Sequence, residues 1–159
     1  MSTVDTITSF THANLNEIDP SFDCIPEDMY TLKILKVELK DFAYKEGNKK
    51  GIPVGTPGQY IKFNLAVTDH EKFAGRRVFP TLFPNAYSLK VLRRLADKTG
   101  VPQEPEEPLD GWLARMSEIQ PEFKTKVEFA KDREGKVLMN DYGKPADNAV
   151  DWRTILPVG

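Results

Sequence analysis

The chain has 159 residues, a formal net charge of −2 and one cysteine, Cys24, which excludes an internal disulfide bond. No apolar run approaches the roughly 20 residues of a membrane-spanning helix, and the N-terminus lacks the basic start and apolar stretch of a secretory signal. We therefore expect a single cytoplasmic domain with no membrane contact.

The charge is distributed unevenly along the chain. Residues 1–28 carry six acids and no base, and residues 29–101 carry 14 bases and six acids. The net charges of residues 102–122 and 123–159 are −5 and +1. A basic segment between acidic ones is typical of a protein that binds a polyanion, although solvated strand and helix faces would give the same pattern.

Two strands are predicted after an acidic N-terminal arm, residues 1–28. Apolar residues alternate from 29 to 40 with a slip of one position, which indicates a long strand bent by a β-bulge. Residues 41–58 hold four glycines and two prolines and predict a long exposed loop. The second strand points Ile61, Phe63, Leu65 and Val67 to one face and Tyr60, Lys62, Asn64 and Ala66 to the other.

A third strand is predicted over residues 76–82, with Val78 and Leu82 inward and Pro80 at an edge or bulge. Asn85 and Gly100 are capping signals for a helix between them, and an acidic, proline-rich linker separates it from a second short helical segment. Together these form a helical insertion at about residues 86–116.

A hairpin is predicted to follow. Residues 123–129 alternate as a fourth strand, residues 132–135 supply turn chemistry, and residues 136–139 form the fifth strand. We interpret residues 141–159 as a tail with an apolar end around Trp152, which docks on its own domain or mediates self-association into a homo-oligomer.

This order of elements predicts an all-β fold with one to two helices. Three strands, a helix and a two-stranded hairpin are typical of the oligonucleotide-binding (OB) fold, a five-stranded Greek-key barrel with a helix between strands 3 and 4. We assign it to residues 29–140.

Catalytic chemistry is sparse in this sequence. Neither His12 nor His70 has a metal-ligand spacing with another histidine or cysteine, and Cys24 has no neighbouring histidine to activate it. We therefore expect no catalytic residue, no metal site, no cofactor and no enzymatic activity.

Binding of single-stranded nucleic acid requires cations that follow the phosphates and flat side chains on which bases stack. In the predicted fold, strands two to four and the loops after strands one and four supply both. The candidate residues are Tyr60, Lys62, Asn64, Arg77, Phe79, Lys124 and Lys126 on the strands, and Phe42, Tyr44, Lys45, Lys49, Lys50 and Arg133 in the loops.

The segments Met29–Ile34, Gln59–Asp69 and Ala74–Phe79 resemble small single-stranded-DNA-binding proteins of bacteriophage replication and recombination modules, which are often described only as domains of unknown function. The resemblance extends to Leu89–Gly100 and the Lys126–Lys136 hairpin. It implies an OB fold, sequence-independent binding of single-stranded DNA in the cytoplasm of a bacterial host cell, and partnership with phage or host replication and recombination proteins.

Two other functions remain open at this stage. The acidic flanks and the apolar C-terminus suit a phage structural or adaptor protein that binds protein partners through the barrel and tail. A nuclease would need a carboxylate cluster assembled from separate strands.

Overall fold

The computed structural model describes residues 10–18 and 23–158. It is a mostly antiparallel sheet with two α-helices, which confirms the β-rich class. The strands are β1 (Asp28–Ala43), β2 (Pro57–Thr68), β3 (Arg77–Val78), β4 (Thr81–Leu82), β5 (Glu122–Phe129) and β6 (Asn148–Leu156). The helices are α1 (Ala86–Thr99) and α2 (Leu109–Ile119), and a short 3-10 helix spans Leu15–Glu17.

The sheet is open. Its strand order is β3-β2-β1-β5-β6, and β4 also pairs with β2. Cα atoms of β3 and β6 come within 8 Å of one another, but no strand pairing joins them in the described part of the chain. A closed barrel, which the sequence predicted, is therefore not seen.

The predicted bulge in β1 is confirmed at Leu35. Ile34 pairs with Leu65 and Lys36 pairs with Asn64, so Leu35 is an extra residue in β1. Because side chains alternate with a period of two, this residue keeps apolar side chains on the core side before and after the bend. Leu32 and Ile34 before it and Val37 after it are buried.

The predicted third strand is interrupted at Phe79 and Pro80, between β3 and β4. Pro80 has no N–H to give to the ladder, yet its carbonyl accepts from Phe63 N at 3.0 Å. Val78 and Leu82 are buried as predicted, while Phe79 is exposed.

The predicted fifth strand at residues 136–139 is wrong. Two tight turns, 132–136 and 140–144, leave only isolated bridges, Lys131 to Val137 and Met139 to Pro145. In each turn the first side chain accepts from two backbone amides, Asp132 Oδ1 at 2.9 and 3.0 Å and Asn140 Oδ1 at 2.9 and 3.1 Å. These compact turns leave too few residues between them for a ladder.

The C-terminal segment supplies the outer strand instead. β6 pairs with β5, and Val150, Trp152 and Ile155 are buried in the core. The Trp152 ring lies 5.0 Å from that of Phe63. The segment therefore docks on its own domain, and self-association through it remains a prediction. The core also contains Ile25, so core residues lie on both sides of the predicted 29–140 domain.

Helix α2 covers the part of one edge of β1 that has no strand beside it; β2 pairs along the other edge. β5 pairs with β1 only as far as Lys33. Beyond it, Ser117 Oγ accepts from Val37 N at 2.9 Å and Gln120 Nε2 donates to Leu35 O at 3.1 Å. The helix thus hydrogen-bonds an edge that would otherwise be open.

Much of the predicted acidic arm lies outside the described residues, namely 1–9 and 19–22. Within the described part, Lys144 Nζ donates to Asp23 Oδ1 at 3.0 Å and Phe129 N donates to Glu27 Oε2 at 3.0 Å. No helix among the described residues has the length and apolar character needed to cross a membrane.

Candidate nucleic-acid interface

The sheet has one face turned away from the core, which we call the outer face. The register pairs Glu38 with Lys62 and Lys36 with Asn64 across β1 and β2, and paired residues point to the same side. Ala66 pairs with Arg77 of β3, and Thr31 pairs with Lys124 of β5. The outer face is therefore continuous across the neighbouring strands β3, β2, β1 and β5.

Cations dominate the outer face. Alternation from these pairs puts seven bases there: Lys33, Lys36, Lys40, Lys62, Arg77, Lys124 and Lys126. Four carboxylates share the face: Glu38, Glu122, Glu128 and Asp151. Glu38 forms salt bridges to Lys36 at 3.3 Å and Lys40 at 3.1 Å, and hydrogen bonds from Lys40 and then Lys36 lower the pKa of its carboxyl. The excess positive charge suits a polyanion.

Four aromatic rings form a cluster at one end of the outer face. This aromatic cluster consists of Phe42, Tyr44, Tyr60 and Phe83. Phe42 lies 4.8 Å from Tyr44, 6.0 Å from Tyr60 and 6.2 Å from Phe83 between ring centroids. Tyr60 lies 5.8 Å from Phe83, whose side chain is 44% exposed. The cluster combines mutual packing with accessible ring surface.

Gly58 allows two of these rings to lie against the strand. It pairs with Phe42, so β1 and β2 continue into the segment predicted as loop. A Cβ at Gly58 would lie 2.6 Å from Phe42 Cζ and 3.0 Å from Tyr44 Cε2. Any larger residue would push the rings outward, so glycine sets the shape of the cluster.

The predicted loop of residues 41–58 is shorter in the structure, with residues 44–56 between the strands. Asn48 organises it, because its Oδ1 accepts from Ile52 N at 3.0 Å and its Nδ2 donates to Lys45 O at 2.9 Å. Lys45, Lys49 and Lys50 are exposed. The loop therefore presents three cations on a hydrogen-bonded turn beside the aromatic cluster.

Asn64 lies near the middle of the outer face. Its Oδ1 atom is buried and has no hydrogen-bond partner among residues 10–18 and 23–158. Such an acceptor is costly when left unsatisfied, so a donor from a ligand or from water would be favourable there.

The remaining strand candidates also lie on this face. Phe79 is 53% exposed between β3 and β4. Lys62, Arg77, Lys124 and Lys126 are exposed. Lys124 and Lys126 lie on the far side of β1 from Arg77, so a ligand that contacts all of them must cross the sheet.

Arg133 does not join the other candidates. The loop after β1 and the turns after β5 lie at opposite ends of two neighbouring antiparallel strands. Arg133, in the 132–136 turn, is therefore separated from Lys45, Lys49 and Lys50 by most of the length of β1. The two loops were predicted to flank one cleft, and in the structure the 16-residue strand β1 lies between them.

Four residues of the outer face were not predicted from the sequence: Lys33, Lys36, Lys40 and Phe83. Phe83 continues the outward alternation from Thr81, and Lys36 and Lys40 follow the bulge in β1. Extending the period-two pattern one step past Leu82, and applying it to the polar side of β1, would have found them.

The side chains considered for catalysis are surrounded by other groups of the fold. His70 Nδ1 accepts from Lys72 N at 3.0 Å and Phe73 N at 3.1 Å, and its ring lies 5.4 Å from Tyr30. Burial, and then the charge of Asp147, raises the pKa of the Cys24 thiol. Over the described ranges, no group of three or more His, Cys, Asp or Glu side chains is arranged to hold a metal ion.

Comparison with known proteins adds no relative to this geometry. No protein-family model, curated protein sequence or solved structure matches the chain.

Proposed function

We propose that this protein binds and protects single-stranded DNA, without catalysis and with little dependence on base sequence. The observation that carries the proposal is an aromatic cluster that continues into a row of seven bases on one sheet face. Stacking on exposed rings contributes about 1–3 kcal/mol per base, and cations along the path neutralise phosphates. A duplex keeps its bases stacked inside, so a ring surface of this kind favours single strands.

The strand order supports an OB-type fold in modified form. In this proposal β6, rather than residues 136–139, is the fifth strand, and the proximity of β3 and β6 corresponds to the gap of a partly open Greek-key barrel. The two helices lie between β4 and β5. These correspond to the end of the third strand and to the fourth strand of that fold, where its helix also lies. The outer face and the 44–56 loop would then form the DNA-binding surface.

The biological setting follows from the same proposal. A phage replication or recombination module, acting in the cytoplasm of a bacterial host, would use such a protein to cover exposed single strands. Phage or host replication proteins would be its partners.

Fluorescence anisotropy with labelled oligo-dT, oligo-U and duplex DNA at low salt tests the function. We expect tight binding of oligo-dT and weaker binding of the duplex, while oligo-U measures the preference for DNA over RNA. Absence of oligo-dT binding at micromolar protein would refute the proposal.

The surface is tested with leucine substitutions, which keep apolar volume but remove the flat ring. Tyr60→Leu with Phe83→Leu should weaken oligo-dT binding more than tenfold, because about two stacked bases are lost. Tyr87→Leu removes an exposed ring on α1 and is the matched control, with unchanged affinity expected. Equal affinities for all variants, with unchanged melting temperatures, would mean that DNA binds elsewhere.

A further inference from the structure

An open cavity of about 430 Å³ lies beside the aromatic cluster. It is lined by Asp41, Tyr44, Lys50, Gly58, Gln59 and Pro84, among others. Its volume falls within the range of small-molecule sites, about 300–1,000 Å³. A ring, a cation and two hydrogen-bonding side chains thus border one space next to the proposed DNA path.

Asp41 and Gln59, two of the residues that line this cavity, have oxygen atoms that can accept hydrogen bonds from a ligand. Asp41 and Gln59 are paired across β1 and β2, and Gln59 Nε2 donates to Asp41 Oδ1 at 3.2 Å. Neither Asp41 Oδ2 nor Gln59 Oε1 has a partner in the described part of the chain. The pair is therefore held together while two acceptor oxygens remain available.

By the β1–β2 register, Asp41 and Gln59 point to the side of the sheet opposite Lys40 and Phe42, so the cavity borders the end of the outer face rather than lying on it. Asp41 has no salt bridge to Lys50 or to another cation in residues 10–18 and 23–158. It would repel a phosphate, but it would attract a base edge that presents N–H donors. Guanine has two adjacent donors, N1–H and the N2 amino group, which match the two oxygens of a carboxylate.

We propose that this cavity binds one guanine of the DNA strand. The proposal rests on the proposed function, because the strand must continue from the outer face past the end of the β1–β2 hairpin to reach Asp41. Asp41 accepts from guanine N1–H and N2–H, Tyr44 contacts the base, and Lys50 neutralises an adjacent phosphate. Binding along the outer face stays tolerant of sequence, and one position prefers guanine.

The test replaces one central thymine of labelled oligo-dT by guanine, inosine, adenine or cytosine and measures affinity by anisotropy. We expect guanine to tighten binding about five- to tenfold, as for one good base contact. Inosine lacks the N2 amino group and should fall between guanine and thymine. Equal affinity for guanine and inosine, or for guanine and any other base, would overturn the inference.

Two charge-matched variants separate recognition from electrostatics. Asp41→Asn and Glu46→Gln each remove one exposed carboxylate from this end of the molecule, so both should strengthen oligo-dT binding slightly. Only Asp41→Asn should abolish the guanine preference, and retention of the preference in that variant would refute the site. If no strand binds at all, the proposed function fails; if all strands bind equally, only the guanine site fails.

Discussion

At the scale of single residues, ion pairs within the outer face compete with phosphate binding. Glu38 holds Lys36 at 3.3 Å and Lys40 at 3.1 Å, so both lysines are partly neutralised before any ligand arrives. Exposed pairs of this kind contribute little to stability and are easily exchanged. Their main effect is therefore on the charge that the face offers to DNA.

Glu38→Gln should strengthen oligo-dT binding roughly threefold at low salt, because it frees two lysines without breaking a core contact. Anisotropy measures the change. Glu134→Gln, in the turn at the opposite end of the sheet, removes an equal charge and should leave affinity nearly unchanged. Equal gains in the two variants would show that net charge, rather than the Glu38 ion pairs, sets the affinity.

At the scale of elements, alternation predicted the strands well where one face is buried. Leu32, Ile34 and Val37 revealed both β1 and its bulge, because the core selects apolar side chains at every second position. Phe83 was missed for a related reason. Exposed ring positions carry no burial signal, so only continuation of the period finds them.

The hairpin after β5 was misread because an apolar run was given more weight than turn chemistry. Val137 to Met139 has the apolar composition of a strand. It is preceded by Asp132 and Gly135 and followed by Asn140 and Gly143, so an Asp or Asn with a glycine three residues later occurs on both sides of it. Both glycines have positive φ, 86° and 72°. Asn48 and Gly51 build a third turn of this kind, so recognising the repeated spacing would have prevented the error.

Helix α2 gives an element-scale prediction. Ser117→Ala should lower the free energy of unfolding by about 1–3 kcal/mol, because the buried Val37 N–H loses its acceptor. Denaturant melts monitored by circular dichroism measure this. Glu118→Ala, an exposed neighbour on the same helix, should change stability by less than about 0.5 kcal/mol. A Ser117→Ala variant as stable as the wild type would mean that water replaces the hydroxyl.

At the scale of the whole molecule, a net charge of −2 hides a basic sheet face. In the sequence, the excess of basic residues lies in residues 29–101. Lys124 and Lys126 nevertheless reach the same face, because β5 pairs with the distant strand β1. Segment charges indicated that a basic surface exists. Its extent depends on which strands are neighbours, and the wrongly placed fifth strand and the closed barrel show that local patterns do not determine this.

The salt dependence of binding tests how far DNA extends across the sheet. Each phosphate contact on a single strand contributes about 0.7 to the log–log salt slope, so Lys124→Ala with Lys126→Ala should reduce its magnitude by roughly 1.4. Lys90→Ala with Lys98→Ala on α1 removes the same charge and should leave the slope unchanged. An unaltered slope in the β5 variant would restrict the DNA path to β1 through β4.

The helix that covers β1 also has a consequence for folding. Until α2 docks, the part of β1 from Leu35 onward has free backbone groups along one edge, a template for pairing with another chain. Because Ser117 and Gln120 follow their partners Val37 and Leu35 by 80 and 85 residues, the nascent chain must keep that edge uncovered for much of its synthesis. Aggregation during expression, rather than instability of the finished fold, is the hazard that this architecture carries.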